Sequence, residues 1–200
     1  MPDKGGPDGN DGTVRTTTQC VDTLIDLDWL TTQLSRHYRI RKALIQCPLL
    51  WEMRKYNLGD PVADDAVVMW YTAGIWALRD DCSTGLAQIQ ARTAIEGRNY
   101  AINQGIISGT VLDPGKGADI WAVWQKLHAD DIYNVQTIPG VLLWGAGTIG
   151  LPRPGLNISE DDSRRIMGRY NGEPPASDNY GQAMLGLYRV FEKYNAPLRA

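Results

Sequence analysis

The most informative stretch of this 200-residue sequence is Asp80-Asp81-Cys82-Ser83-Thr84-Gly85-Leu86-Ala87-Gln88-Ile89. Its Asp, Ser, Thr and Gly residues predict a loop, because these residue types favour turns over regular structure. Two other segments frame this stretch: Glu52 lies upstream among apolar residues, and Arg169-Tyr170-Asn171-Gly172 lies downstream. These three segments, in this order, are the features on which a functional interpretation depends.

The spacing of apolar residues predicts a mainly α-helical fold. Four leucines recur at three- and four-residue intervals and predict an amphipathic helix over residues 21–38: Leu24, Leu27, Leu30 and Leu34. Further helices are predicted over residues 39–56 (with a kink or restart at Pro48), 61–78, 89–102, 118–128, 132–144, 159–170 and from residue 177, with Ser159 and Ser177 as N-caps. No run alternates strictly between apolar and polar residues, so the expected fold is mainly α with irregular loops.

Composition limits the class of protein. Hydrophobic residues make up 43% of the chain, which is enough for a real core, and 200 residues fit one domain with a tail. Residues 1–19 contain almost no large apolar side chain, so we expect a disordered tail there and a folded domain over residues 20–200. The net charge of −3 argues against a nucleic-acid partner. No apolar run is long enough to predict a membrane span.

The cysteines and histidines predict neither a metal site nor a cofactor. Cys20, Cys47 and Cys82 leave at least one thiol unpaired, and no Cys-x-x-Cys spacing occurs. His37 and His128 are far apart in sequence. We expect buried thiols that behave as small apolar residues. Cys47 and Cys82 lie near the Glu52 and Gly85 segments, so a disulfide between them stays open at this point.

Glu52 is the strongest candidate for acid–base chemistry. It lies between Trp51 and Met53 in an apolar segment. A carboxyl group that is desolvated against apolar surface holds its proton at a higher pH than a free glutamate does. Arg54 and Lys55 follow, but helical geometry turns residue 54 away from residue 52. The alternative is a solvated glutamate on an exposed helix face.

Taken together, the three segments resemble the lysozyme-like superfamily, which includes goose-type lysozymes and bacterial lytic transglycosylases. In that family a catalytic Glu at a helix end precedes Gly-Leu-Met-Gln-Ile and, later, Tyr-Asn-Gly or Tyr-Asn-Ala. Here Ala87 replaces the Met, and Met53 replaces the Ser that often follows the acid. The resemblance spans residues 52–190 and implies a lysozyme-like catalytic domain over residues 20–200, with loops around an active-site cleft.

The resemblance also implies roles for individual residues. Glu52 would be the catalytic acid, and the Tyr170 hydroxyl would lie near it and the scissile sugar. The expected substrate contacts are Gly85, Leu86, Gln88, Ile89 and Asn171. Gly85 would give the backbone freedom to approach the sugar. The amide of Gln88 would both donate and accept hydrogen bonds.

A second carboxylate separates two mechanisms within the family. Lytic transglycosylases use one Glu as acid and then base, and the sugar's own 6-hydroxyl attacks to give an anhydro product. Goose-type lysozymes resemble inverting hydrolases, in which an Asp before the Gly-Leu-Met-Gln segment positions water. Asp80 and Asp81 stand five and four residues before Gly85, which favours hydrolysis with either as the base. Alternatively, both cap a helix that starts near Ser83.

The expected activity is cleavage of peptidoglycan glycan strands by an N-acetylmuramidase. A lytic transglycosylase, a chitinase-like hydrolase and a non-catalytic glycan-binding module are the alternatives. The N-terminus lacks the basic-then-apolar pattern of a secretory signal. We therefore expect a protein that is made in the cytoplasm and acts in the periplasm or cell wall after delivery. An antibacterial effector or lysin fits this, with an immunity protein or secretion carrier as partner.

Overall fold

The computed structural model describes residues 14–57, 59–75, 78–172 and 176–199, and these form nine α-helices. The helices are α1 (Thr17–Asp26), α2 (Asp28–Tyr38), α3 (Lys42–Lys55), α4 (Gly59–Ala73), α5 (Ala91–Asn103), α6 (Gly117–Ala129), α7 (Asp131–Thr148), α8 (Glu160–Tyr170) and α9 (Ala176–Asn195), followed by a 3₁₀-helix (Ala196–Arg199). No strand forms within the described ranges, although an isolated antiparallel bridge joins Thr84 and Ile89. The prediction of a mainly α fold is confirmed.

The first predicted helix, over residues 21–38, is divided at Leu27. This residue ends α1 and precedes α2, and its φ of −93° and ψ of 8° depart from helical values. Leu24 and Leu30, on either side of the break, are both buried. The apolar spacing therefore continues across the break, which is why the pattern predicts one helix where the structure has two.

The start of the folded domain also differs from the predicted boundary. Thr16 accepts a hydrogen bond from the backbone N–H of Gln19, and the Gln19 side chain accepts one from the N–H of Thr16. This capping box starts α1 at Thr17. Residues 17–19 are therefore helical, because paired caps and the buried Cys20 hold a segment whose composition is typical of a tail. The part of the predicted tail before residue 14 lies outside the described residues.

Helix α3 is the centre of the fold. It contacts α1, α2, α7, α8 and α9, and 12 of its 14 residues are buried. A helix that is buried on every side belongs to a core. The predicted restart at Pro48 does not occur, because the surrounding helices hold α3 together although the proline lacks a backbone N–H. The same burial carries Glu52, near the end of α3, into the interior.

Two pairs of helices pack closely enough to bring their backbones together at glycines. In the pair α5 and α7, a Cβ added at Gly97 would lie 2.6 Å from the backbone nitrogen of Val141. In the pair α8 and α9, a Cβ at Gly181 would lie 2.3 Å from the carbonyl oxygen of Arg164. The second contact fixes α8 against α9, and each of these helices contributes a tyrosine to the candidate active site.

We expect Gly181→Ala to destabilise the protein by about 1–3 kcal/mol, because an added methyl group would meet rigid backbone. Thermal or urea unfolding measures this. Gly186→Ala, on the same helix, is the matched control, since its Cβ would meet nothing within 4 Å. The control should be neutral or slightly stabilising, because alanine favours helix more than glycine does. Equal losses in the two variants would contradict the close packing of α8 on α9.

Several helix ends can be compared with their predicted caps. Ser159 caps α8, as predicted, and accepts a hydrogen bond from the backbone N–H of Asp162. Ser177 is not the N-cap of α9, because the helix already includes Ala176. Helix α4 ends at Ala73 and so falls short of the predicted end at residue 78.

The three cysteines, Cys20, Cys47 and Cys82, are buried and free, so the predicted burial of the Cys47 and Cys82 thiols is confirmed. Within the described ranges, no three or more His, Cys, Asp or Glu side chains are grouped so that they could hold a metal ion. None of the helices described above is long and apolar enough to cross a membrane.

Candidate active site

The three segments identified in the sequence line one cavity of about 340 Å³. The lining residues are Glu52, Asp60, Ser83, Gln88, Ile89, Gln90, Thr93, Val141, Arg169, Tyr170, Asn171 and Gly172. Five of the residues predicted for the site are therefore on the cavity wall: Glu52, Gln88, Ile89, Tyr170 and Asn171. Four others do not line it: Gly85, Leu86, Asp80 and Asp81.

Glu52 is the buried acid of this cavity. Its side chain comes from the C-terminal part of α3, and the residue is only 8% exposed. The Tyr180 hydroxyl, from α9, donates a hydrogen bond to Oε1 of Glu52. Burial raises the pKa of Glu52, while the charge of Lys55 and the bond from Tyr180 oppose the rise, and the negative charge of Asp60 adds to it. Glu52 thus has the desolvated environment that an acid catalyst needs.

The raised pKa links Glu52 to stability. The folded protein favours the protonated carboxyl group of Glu52. Its protonation therefore contributes fully to the free energy of unfolding at pH values below 4.5, the usual pKa of a glutamate. This contribution is lost as the pH rises through the pKa of Glu52 in the folded protein. We expect Glu52→Gln to raise the melting temperature by a few degrees at neutral pH, since the amide is never charged and can still accept from Tyr180. The gain should vanish in scans below pH 4.5. A variant less stable than wild type at neutral pH would contradict this.

Tyr170 connects the segment of residues 169–172 to the loop of residues 80–89. It is the last residue of α8, and its hydroxyl donates a 2.8 Å hydrogen bond to the carbonyl oxygen of Ala87. Burial, together with the nearby charge of Glu52, holds the pKa of Tyr170 well above its usual value. The hydroxyl therefore keeps its proton and serves as a hydrogen-bond donor that ties the loop to α8.

Asn134 on α7 anchors the loop of residues 84–89, which contains the predicted substrate contacts. Its Oδ1 accepts the backbone N–H of Ala87 at 2.8 Å. Its Nδ2 donates to the carbonyl oxygens of Thr84 at 2.9 Å and Leu127 at 3.1 Å. Asn134 is fully buried, so all three bonds lie away from solvent. A single side chain thus fixes both ends of the turn and links it to the end of α6.

Gly85 is required for a reason other than the expected approach to a sugar. Its φ is +71°, a conformation that other residues adopt at a cost. A Cβ at this position would also lie 2.1 Å from Nδ2 of Asn134 and 2.5 Å from the carbonyl oxygen of Leu127. The glycine therefore lets the loop close onto Asn134, and it does not itself reach the cavity.

Gln88 is the strained residue of the loop. Its φ is +48°, which is uncommon for a residue other than glycine, and such strain is concentrated at functional sites. Its Nε2 donates a 2.9 Å hydrogen bond to the carbonyl oxygen of Gly85. This bond orients the amide, and Oε1 is left as the acceptor that the side chain can offer within the cavity.

Asp80 and Asp81 have partners outside the cavity. The side chain of Asp81 is buried, and its two oxygens accept the backbone N–H groups of Ala91 at 2.9 Å and Arg92 at 3.0 Å. It therefore caps α5 and not the predicted helix near Ser83, which does not form. Asp80 makes a bidentate ion pair with the Arg92 guanidinium at 3.1 and 2.6 Å. The structure gives both carboxylates structural contacts and places neither on the wall.

Asn134 and Asp60 are two of the site residues that the sequence motifs miss. Asn134 lies within an apolar helix, and nothing in its local sequence indicates that it holds a loop 47 residues upstream. Asp60 lines the cavity from the first turn of α4, whereas its position between Gly59 and Pro61 indicates only a turn and a helix start. Asp80 and Asp81 are much closer in sequence to the Gly85-Leu86 motif than Asp60 is, so the motif indicates them as the second carboxylate.

Similarity to known proteins adds nothing to this geometry. No protein-family model matches the chain, and no curated protein and no solved structure matches it significantly. The resemblance to the lysozyme-like superfamily therefore remains a prediction from the three motifs.

Proposed function

We propose that this protein cleaves the glycan strands of peptidoglycan as an N-acetylmuramidase, with Glu52 as the general acid. One observation carries the proposal: a buried glutamate with a raised pKa lies in the same cavity as Gln88 and the Tyr170-Asn171 turn. Breaking a glycosidic bond requires a carboxylic acid that can donate a proton, and burial shifts Glu52 towards the protonated form.

The contacts of Glu52 support the role of proton donor. Because Tyr180 donates to Oε1, that oxygen acts as the acceptor and the acidic proton resides on Oε2. Oε2 then donates the proton to the glycosidic oxygen as the bond to the leaving sugar breaks. Tyr180 is a positioning residue in this scheme, since it orients the carboxyl group and does not touch the substrate.

The polar residues on the cavity wall support a sugar as the substrate. Ser83, Gln90, Thr93 and Asn171 carry uncharged groups that both donate and accept hydrogen bonds, which matches the hydroxyl and N-acetyl groups of a glycan. The volume of about 340 Å³ lies at the lower end of the range for ligand sites. We propose that the protein acts at the cell wall, where this substrate is found.

A lytic transglycosylase is the second candidate, and the contacts of Asp80 and Asp81 favour it. Both carboxylates are held by α5 and are absent from the wall, so neither is placed to activate water. A single glutamate would then act as acid and base, and the sugar's own hydroxyl would attack.

Mass spectrometry of digestion products tests the proposal. Purified peptidoglycan and chitin oligosaccharides are each incubated with the protein, and the new chain ends are identified. Reducing ends from peptidoglycan are expected for a muramidase, whereas anhydro ends would establish the transglycosylase. Cleavage of chitin alone would assign another glycan. Binding to peptidoglycan without any new ends would contradict an enzymatic function.

A further inference from the structure

Among the residues that the structure describes, two carboxylates line the cavity, and Asp60 is the second of them. It lies in the first turn of α4, eight residues after Glu52. Its charge is close enough to Glu52 to raise the pKa of the buried acid. The two groups differ in solvation, because Glu52 is buried whereas Asp60 is half-exposed. Such a difference in solvation is typical of the two carboxyl groups of a catalytic acid and base pair.

Local hydrogen bonds hold the Asp60 side chain in place. Its Oδ2 accepts the backbone N–H of Asn57 at 2.7 Å, and Oδ1 of Asn57 in turn accepts the N–H of Gly59 at 2.8 Å. Within the described residues, Oδ1 of Asp60 accepts no hydrogen bond from protein. One oxygen is therefore anchored, while the other is available to a water molecule that enters the cavity.

Three neighbouring carboxylates that the structure describes have partners outside the cavity. Asp81 accepts two backbone N–H groups of α5, and Asp80 is paired with a guanidinium. Asp64, one turn after Asp60 on α4, is buried against the Cys82 thiol at 3.4 Å and the ring of His128 at 3.4 Å. Only Asp60 among these four lies on the wall.

We propose that Asp60 holds and deprotonates the attacking water, so that the enzyme hydrolyses the glycan with inversion of configuration. This inference rests on the proposed function, in which Glu52 is the acid. It assigns the base to a residue that the sequence motifs do not identify, in place of Asp80 or Asp81.

The proposed reaction is a hydrolysis of the glycosidic bond. The water oxygen forms a bond to the anomeric carbon, and its proton passes to the carboxylate of Asp60. The bond from the anomeric carbon to the glycosidic oxygen breaks, and its electron pair stays on that oxygen, which takes the proton of Glu52. Solvent then returns the proton to Glu52 and removes the one on Asp60. Inverting pairs of this kind have carboxyl groups about 6.5–9.5 Å apart, which leaves room for the water.

Asp60→Asn tests the proposal, with Asp65→Asn as the matched control. Asp65 is exposed on the same helix and does not line the cavity. The amide at residue 60 keeps an oxygen for the Asn57 N–H but cannot take a proton. We expect a loss of hydrolysis of about 100-fold or more for Asp60→Asn and no change for the control.

A chemical rescue distinguishes a catalytic base from a merely structural residue. Sodium azide is added to Asp60→Ala, because azide attacks the anomeric carbon without needing a base. We expect a glycosyl azide whose configuration is opposite to that of the cleaved bond. Proton NMR of soluble strand fragments gives the configuration of this product and of the wild-type product.

The outcomes separate the two proposals. An inactive wild-type protein overturns the proposed function and the inference with it. If Glu52→Gln is inactive while Asp60→Asn keeps at least half of the wild-type rate, the inference falls and the proposed function stands. Retention of configuration in the wild-type product also overturns the inference. Loss of activity in Asp60→Asn with azide rescue of Asp60→Ala supports it.

Discussion

Replacing Glu52 by glutamine is expected to lower the rate of glycan cleavage by about 10²–10⁴-fold while leaving the chain folded. The amide matches the carboxyl group in size and can accept the hydrogen bond that Tyr180 now donates to Oε1. It has no acidic proton to give to the leaving oxygen. The initial rate of formation of new chain ends from purified peptidoglycan, at equal concentrations of folded protein, measures the loss.

Glu96→Gln is the matched control for this substitution. Glu96 is a half-buried glutamate on α5 that does not line the cavity, so its conversion should leave the rate unchanged. The wild-type rate should also fall as pH rises through the elevated pKa of Glu52, because the acid must be protonated to act. A Glu52→Gln variant that works within twofold of the wild type would refute the assignment.

The second large effect is expected from Asn134→Ala, which should cost about 2–4 kcal/mol of stability and remove activity. The substitution removes three buried hydrogen bonds, to the N–H of Ala87 and to the carbonyl oxygens of Thr84 and Leu127. The Thr84 carbonyl oxygen keeps the bond that it accepts from the N–H of Ile89 at 3.2 Å. Buried groups that lose their hydrogen bonds are costly. The loop would then no longer hold Gln88 in its strained conformation on the cavity wall. Chemical unfolding gives the stability loss, and cleavage assays below the melting temperature give the activity.

Asn99→Ala provides the comparison that separates lost stability from lost function. Asn99 also anchors a loop with both ends of its amide, donating to the carbonyl oxygen of Leu112 at 2.6 Å and accepting its N–H at 2.9 Å. It does not line the cavity. We expect this variant to be less stable but fully active where it is folded. If Asn134→Ala behaves in the same way, the link between Asn134 and the site is wrong.

Much of the helical content could be predicted from residue spacing alone. The last residues of α8, the N-cap Ser159 and the apolar positions of the N-terminal segment depend on local chemistry, which the sequence displays directly. Glu52 and Tyr170 both lie on the cavity wall. Their local sequences do not predict this, whereas the order of the three motifs along the chain does. That part of the site was accessible only because three separate segments could be considered together.

Other features depend on partners that are distant in sequence. The cap that Asp81 places on α5 spans a loop of ten residues, and the same short polar segment could equally have capped a helix beginning near Ser83. The break at Leu27 is invisible because buried leucines continue on both sides of it. Asp60 lines the cavity together with residues of α3, α5, α7 and α8, a tertiary relation that spacing along one helix does not encode.

The central claim is that a buried, protonated Glu52 breaks a glycosidic bond of peptidoglycan. Mass spectrometry of purified peptidoglycan digested in parallel with the wild type, Glu52→Gln and Glu96→Gln tests it most directly. We predict new muramic-acid reducing ends with the wild type and Glu96→Gln, and none above the background with Glu52→Gln. Equal release of these ends by all three proteins, or no release by the wild type where a control lysozyme is active, would contradict the claim.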